Sequence, residues 1–233
     1  MPEPGASGFS ADGARWHGLR VVARGAHRVC VIDPGLPGHC LKYPLPPDPA
    51  ARKALRRRLR ALLARLAPWR QGNRLELRAW RRLHARLGDA LDARVARCIG
   101  LVDTPHGPAL RCELVAGADG APAPSVYACL FGPARGRYDA EALCAAVSRF
   151  EAWLHEAAVP LFDLNSGNLV AVERAGGLEL VCIDVKSVLD NKEIVPFSRW
   201  SPRLARRKVA RRAERLRRRI REHAPLAGAQ AGH

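Results

Sequence analysis

Half of the positive charge in this chain is confined to two helix-patterned segments, and that segregation limits what the chain can fold into. Eight basic residues and no acidic ones lie between Arg52 and Arg70, and twelve basic against two acidic lie between Arg199 and Glu222. The whole chain holds 39 Lys and Arg against 22 Asp and Glu, so everything outside these segments carries 19 basic and 20 acidic residues and is neutral. Each basic segment has its own start signal. The first opens at Asp48-Pro49, carries Leu55, Leu59, Leu62, Leu63 and Leu66 at helical spacing and stops at Pro68, predicting a basic helix over 48–67. The second opens at Ser201-Pro202, carries Val209, Ala213, Leu216 and Ile220 on one face and ends before Pro225. One face of each must pack on a body while the other turns arginine outward. An outward face of that kind is a solvated surface, a dock for an acidic protein or an anionic membrane surface. Nucleic acid is the weaker reading, because the basic runs lack interleaved aromatics and match no standard binding pattern.

The body of the chain is that of a folded protein. At 233 residues, 48% hydrophobic and 26% charged, it can bury the core of one domain or two small ones, and with 6% aromatics Leu, Val and Ala must fill it. No apolar run approaches the roughly 20 residues of a membrane span. The stretch Met1 to Gly13 has no apolar centre and does not read as a secretory signal. A cytoplasmic location is expected, with peripheral attachment at the inner membrane open to the basic helices. The seven cysteines, at 30, 40, 98, 112, 129, 144 and 182, form no C-x-x-C pair and read as reduced thiols acting as small hydrophobes.

Short alternating runs predict strands at 19–23, 28–32 and 40–44, then a helix from Asn73 to about Leu87, then strands at 97–103 and 109–115. Residues 116–124 are rich in Gly, Ala and Pro and read as a hinge or linker. A helix follows from Asp139 to about Ala157, with Leu143, Val147, Phe150 and Leu154 on one side. Strands 168–172 and 178–183, joined at Arg174 to Gly177, make a hairpin. The division is a flexible start (1–16), a strand-rich half (17–115) with the basic insert, the linker, a helical half (125–222) and a flexible tail (223–233).

Two polar clusters frame that hairpin: Asp163-Leu-Asn-Ser-Gly-Asn168 before it and Asp184 after it. A carboxylate leaving a buried strand needs a polar or cationic partner. Oxygen-bearing side chains converging at one hairpin end suit a hard cation such as Mg²⁺. Here the sequence resembles the protein-kinase-like fold, in which a catalytic-loop Asp is followed five residues on by an Asn and, after a hairpin, by a metal-binding Asp. It resembles the PhoP regulatory network protein (YrbL-like) family more closely, over roughly residues 19–222. That likeness rests on CLKYP, LELRAWRRL, ELVAGADG, the N-x-L start of the hairpin, and the run from Asp184 through Val195-Pro196 to a Trp and a basic helix. The insert from Pro44 to Gln71 looks like an addition to the pattern.

The resemblance implies an α+β, two-lobed protein-kinase-like fold with a compact C-terminal lobe, and ATP and Mg²⁺ as cofactors. It implies that Lys42 grips the phosphates, Glu76 positions Lys42, and Asp163 orients or deprotonates an acceptor hydroxyl. Asn168 and Asp184 would hold the metal, Glu113 would lie where adenine is cradled, and Gly25 would be what remains of the glycine-rich phosphate loop. The acceptor is not named by the sequence. Leu161-Phe162 stands before Asp163 where the protein-kinase pattern has His-Arg, and Val185-Lys186 follows Asp184 where that pattern has Phe-Gly. These departures speak against a regulated protein kinase and leave a small-molecule or lipid kinase, or a kinase-shaped regulator.

Each residue also has a plainer role available. Glu76, three after Asn73, fits a helix cap; Lys42 fits an exposed strand position; Asp163 and Asn165 fit Asx-turns; Asp184 fits a turn cap. A calcium loop is unsupported, since Arg174 stands where its bidentate Glu is needed. Ser166 has no G-x-S-x-G context.

Overall fold

The computed structural model describes residues 16–25, 27–45, 72–189 and 201–224. The expected basic insert at 48–67, the chain start up to residue 15, the stretch around Val195-Pro196 and the tail from residue 225 lie outside the described residues.

The N-terminal strands are β1 (Val21–Arg24), β2 (Arg28–Ile32), β3 (His39–Pro44), β4 (Cys98–Thr104) and β5 (Gly107–Glu113). They form one antiparallel sheet in the order β1-β2-β3-β5-β4. Period-two alternation sorts their side chains onto two faces. Val29, Val31, Leu41, Tyr43 and Ala109 pack on one face beneath Trp16. Cys40, Cys98, Leu110 and Cys112 pack on the other against Leu77. Leu77 belongs to helix α1 (Gly72–Leu87), which spans this second face. Lys42 and Arg28 share strand parity with Cys40 and Cys30, so they too stand on the α1 side.

Two strand boundaries differ from expectation for a local reason. Thr104 Oγ1 accepts from the His106 amide (3.2 Å) and donates to the Gly107 carbonyl (2.8 Å), closing a turn with Gly107 at φ +106°. β5 therefore begins at Gly107 directly after the turn, and it ends when Leu114 leaves the ladder to donate to the Gly38 carbonyl at 2.8 Å. The run 116–124 is a compact turn: Ala116 bridges Pro122, and Gly117 donates to the Ala121 carbonyl at 2.8 Å.

The C-terminal half is mostly helical. Helix α2 (Val126–Phe131) was not legible as a helix because it is under two turns long. Ser125 caps it through the Ala128 amide (3.1 Å), and Gly132 stops it where a Cβ would meet Ala128 at 3.0 Å. Helix α3 (Ala140–Glu156), capped by Asp139 at 2.7 Å, buries the expected Leu143, Val147, Phe150 and Leu154. The hairpin is β6 (Leu169–Arg174) and β7 (Gly177–Cys182). Helix α4 (Pro202–His223) starts at the Ser201 cap and buries Val209, Ala213, Leu216 and Ile220. It lies along α3, where Arg217 turns inward to Glu151 at 2.7 Å. The architecture is thus the expected α+β one, with a sheet-rich N-terminal half and a helical C-terminal half. Among the described residues no helix is long and apolar enough to cross a membrane.

Candidate functional site

Lys42 is the only charged side chain that β3 sends toward α1, and it is buried. An ammonium there is tolerable only with a partner. Glu76, on the first turns of α1 and fully buried, supplies it: Lys42 Nζ lies 2.7 Å from Glu76 Oε1. The same ammonium donates to the Ile183 carbonyl at 2.5 Å and so ties the N-terminal sheet to the end of the hairpin. Asn73 sets the relation of helix to strand, its Nδ2 donating to the Lys42 carbonyl at 2.7 Å. The plainer roles for Lys42 and Glu76 are therefore not the ones taken: Lys42 is not exposed, and the Glu76 carboxylate faces Lys42 and Arg28 rather than its own helix terminus.

The hairpin brings the second group in. Ile183 donates to the Asn168 carbonyl at 2.9 Å, continuing the pairing of Leu169 with Cys182. Asn168 and Asp184 thereby sit at the same open end of the hairpin. Asp163 joins them through its amide, which donates to Ser187 Oγ at 3.3 Å just beyond Asp184. Asn165 does form an Asx-turn, accepting from the Gly167 amide at 3.2 Å, and Asp184 does so too, accepting from the Lys186 amide at 3.2 Å. Ser166 is buried, not presented as a nucleophile.

No sequence motif marks Arg28. From β2 its guanidinium donates to both Glu76 and Asp184, joining the two carboxylates. Lys186 Nζ adds a second cation to Asp184 at 2.5 Å. The signal for Arg28 was strand parity, since it alternates with buried Val29 and Val31 and must face the other way. Burial pushes the Asp184 carboxyl up, but Arg28, Lys186 and Lys42 outweigh it and hold the group below the usual carboxylate range. Burial likewise pulls Lys42 down, and the neighbouring Cys112, Glu76 and Cys98 outweigh it, holding the ammonium well above the ordinary lysine value.

Gly25 and Glu113 stand apart from this ion-pair cluster. Gly25 closes the β1–β2 turn, donating to the Arg28 carbonyl at 2.9 Å. Glu113 ends β5 with an exposed side chain that accepts from the Arg97 amide at 3.4 Å. What the structure assembles is Lys42, Glu76, Arg28, Asp184 and Lys186 as one ionic cluster, with Asn168 and Asp163 beside it.

The family model of the PhoP regulatory network protein YrbL matches residues 17–221. The chain belongs to that family. Within this YrbL-family chain the match spans the sheet, α1, the hairpin and nearly all of α4. No curated protein matches the sequence. Among solved structures, the kinase domain of maize SIRK1 (sucrose-induced receptor kinase 1) bound to AMP-PNP is similar at 14% identity with a TM-score of 0.35. The likeness covers 76% of this chain and 55% of that one, so the chain spans about half the length of that kinase domain.

Proposed function

We propose that this YrbL-family protein binds Mg-ATP between its N-terminal sheet and its hairpin and transfers the γ-phosphoryl group to a hydroxyl acceptor. The observation that carries the reading is the buried Lys42–Glu76 pair at 2.7 Å, tied through Ile183 and Arg28 to the hairpin end that holds Asp184. Phosphoryl transfer asks a protein for positioning and charge neutralisation, and this cluster is built of such groups. The donor set fits the implied metal in kind: Asp184 and Asn168 offer the hard oxygen ligands that Mg²⁺ takes, and bound there it would neutralise phosphate charge. Lys42, held by Glu76, would meet phosphate oxygens. Asp163 would orient the acceptor hydroxyl and take its proton. Arg28 and Lys186 already neutralise Asp184, so the carboxylate must share or exchange them when the metal binds.

The test is thermal stability with and without Mg-ATP in the wild type and in Asp184→Ala. A ligand at about 100 times its dissociation constant adds roughly 2.7 kcal/mol. A magnesium-dependent shift confined to the wild type supports the reading; equal shifts in both proteins, or none at millimolar ATP, remove it.

A second reading is favoured by the same Arg28 and Lys186 contacts: a kinase-shaped regulator in which those cations stand in for the metal. It would dock an acidic protein or an anionic membrane through α4, where Arg207, Arg211, Arg212, Arg215 and Arg218 are exposed. Vesicles of anionic lipid should then bind in a salt-sensitive way. Binding that survives charge reversal at Arg211, Arg212 and Arg215 excludes α4 as the dock.

A further inference from the structure

Four of the seven cysteines, one from each of four strands, share the α1-facing side of the N-terminal sheet. Cys30 lies on β2, Cys40 on β3, Cys112 on β5 and Cys98 on β4, all in the cluster around Leu77. Sheet register makes the last three a row, because Cys40 pairs with Cys112 and Cys112 pairs with Cys98. Sequence spacing hides this, since the three are 72 and 14 positions apart in that order.

The Sγ atoms of Cys98 and Cys112 are 3.6 Å apart. Two thiolates bound to one tetrahedral zinc at about 2.3 Å each are separated by about 3.8 Å, so this pair stands close to ligating distance before any ion is added. A Glu76 carboxylate oxygen completes a triangle in which every ligand atom lies within 4.8 Å of the others, and all three residues are buried. Glu76 is also held in place: Lys42 and Arg28 donate to its two oxygens. Ligating carboxylates are commonly fixed by such outer hydrogen bonds, and each oxygen keeps a lone pair for a metal.

We infer that Cys98, Cys112 and Glu76 form a three-ligand site for a thiophilic divalent cation of the zinc class. Mg²⁺ is the wrong ion here, because sulfur ligands select soft or borderline metals. The exchange balances: one Zn²⁺ enters, the thiols of Cys98 and Cys112 release two protons, and no electron moves. The charge of the cluster is unchanged, so Lys42 and Arg28 keep the partner that holds them. Metal occupancy would thereby reach the Lys42–Glu76 pair directly, and the inference does not depend on whether that pair serves phosphoryl transfer.

The experiment loads the reduced full-length protein with Zn²⁺ and, in parallel, with Co²⁺ as a spectroscopic substitute. Expected are one zinc per chain, retained in Cys144→Ser, and a thiolate-to-cobalt charge-transfer band with tetrahedral d–d absorption. Cys98→Ser/Cys112→Ser should lose both. Should that double variant fail to fold by circular dichroism, Glu76→Gln, which keeps the shape, should weaken zinc at least about 10-fold. A wild type that takes up no zinc, a cobalt spectrum without the thiolate band, or equal uptake by the cysteine or glutamate variant would overturn the site.

Discussion

The Arg28 guanidinium donates to the carboxylate of Asp184, 156 positions away in sequence, while its other amino group donates to Glu76. One strand residue of the N-terminal sheet thus binds both a helix acid and the acid at the hairpin end. With Lys42 on Glu76 and Lys186 on Asp184, three cations share two buried carboxylates. The guanidinium's flat fork suits this bridging role, which a lysine at the same position could not fill.

Arg28 competes with any cation that Asp184 would bind. Arg28→Ala should therefore raise the apparent Mg²⁺ affinity of the nucleotide complex about 10-fold, equivalent to about 1.4 kcal/mol. Titration of Mg²⁺ at fixed ATP, followed by isothermal calorimetry, reads this. Unchanged or weaker affinity would show that Arg28 does not stand in the metal's way.

Glu76 is fully buried and holds two cations. Glu76→Ala should cost about 3–5 kcal/mol, because it strands charge inside the protein rather than merely deleting a contact. Glu76→Gln should cost less, since the amide oxygen still accepts. Urea denaturation compares the two; equal, small losses would mean that water reaches the pair.

The depressed Asp184 carboxyl contributes stability that is fully present above its unfolded value, about 3.9. That contribution is lost as pH falls through the lower folded value. The wild type should accordingly lose stability steeply below about pH 4. Asp184→Asn should be less stable at neutral pH but show a shallower acid slope. Urea midpoints measured between those conditions decide it, and parallel slopes would refute the assignment.

Ala158 ends α3 in the left-handed region at φ +48°, where its neighbour Val159 donates back to the Leu154 carbonyl at 2.9 Å. An alanine in that conformation costs about 1 kcal/mol relative to glycine. Ala158→Gly should raise the melting temperature by about 2–4 °C in a chain of this size. A lower melting temperature would mean that the Ala158 methyl group contributes more by packing than it costs in strain.

Much of the fold could be read from pattern. The stripes Leu143-Val147-Phe150-Leu154 and Val209-Ala213-Leu216-Ile220 are buried as spaced, and Ser201 and Asp139 cap as their positions predict. These features are local, fixed within a few residues by helix geometry. Helix α2 escaped because its three buried residues, Val126, Cys129 and Leu130, are too few to establish a period. Of the ionic cluster, Lys42 and Glu76 stand out in the sequence by the family resemblance alone, and Asp184 by that resemblance together with the cost of burying a carboxylate at a strand end. Arg28 and Lys186 do not, because a basic residue beside a strand or turn carries no sign of which acid it meets.

Stripes and caps in the sequence are enough to place α1, α3 and α4 and the faces they bury, and the charge count assigns the excess of arginine to two segments rather than to the body. Only the tertiary structure decided that Arg28 would join Glu76 to Asp184, and that Cys40, Cys112 and Cys98 would stand in a row. The physical reason is strand register. Helical capping and periodicity act over four residues, whereas the pairing of β3 with β5 and β5 with β4 joins residues through hydrogen bonds that any backbone can make. Which side chains then meet is fixed by how the whole sheet and α1 pack together.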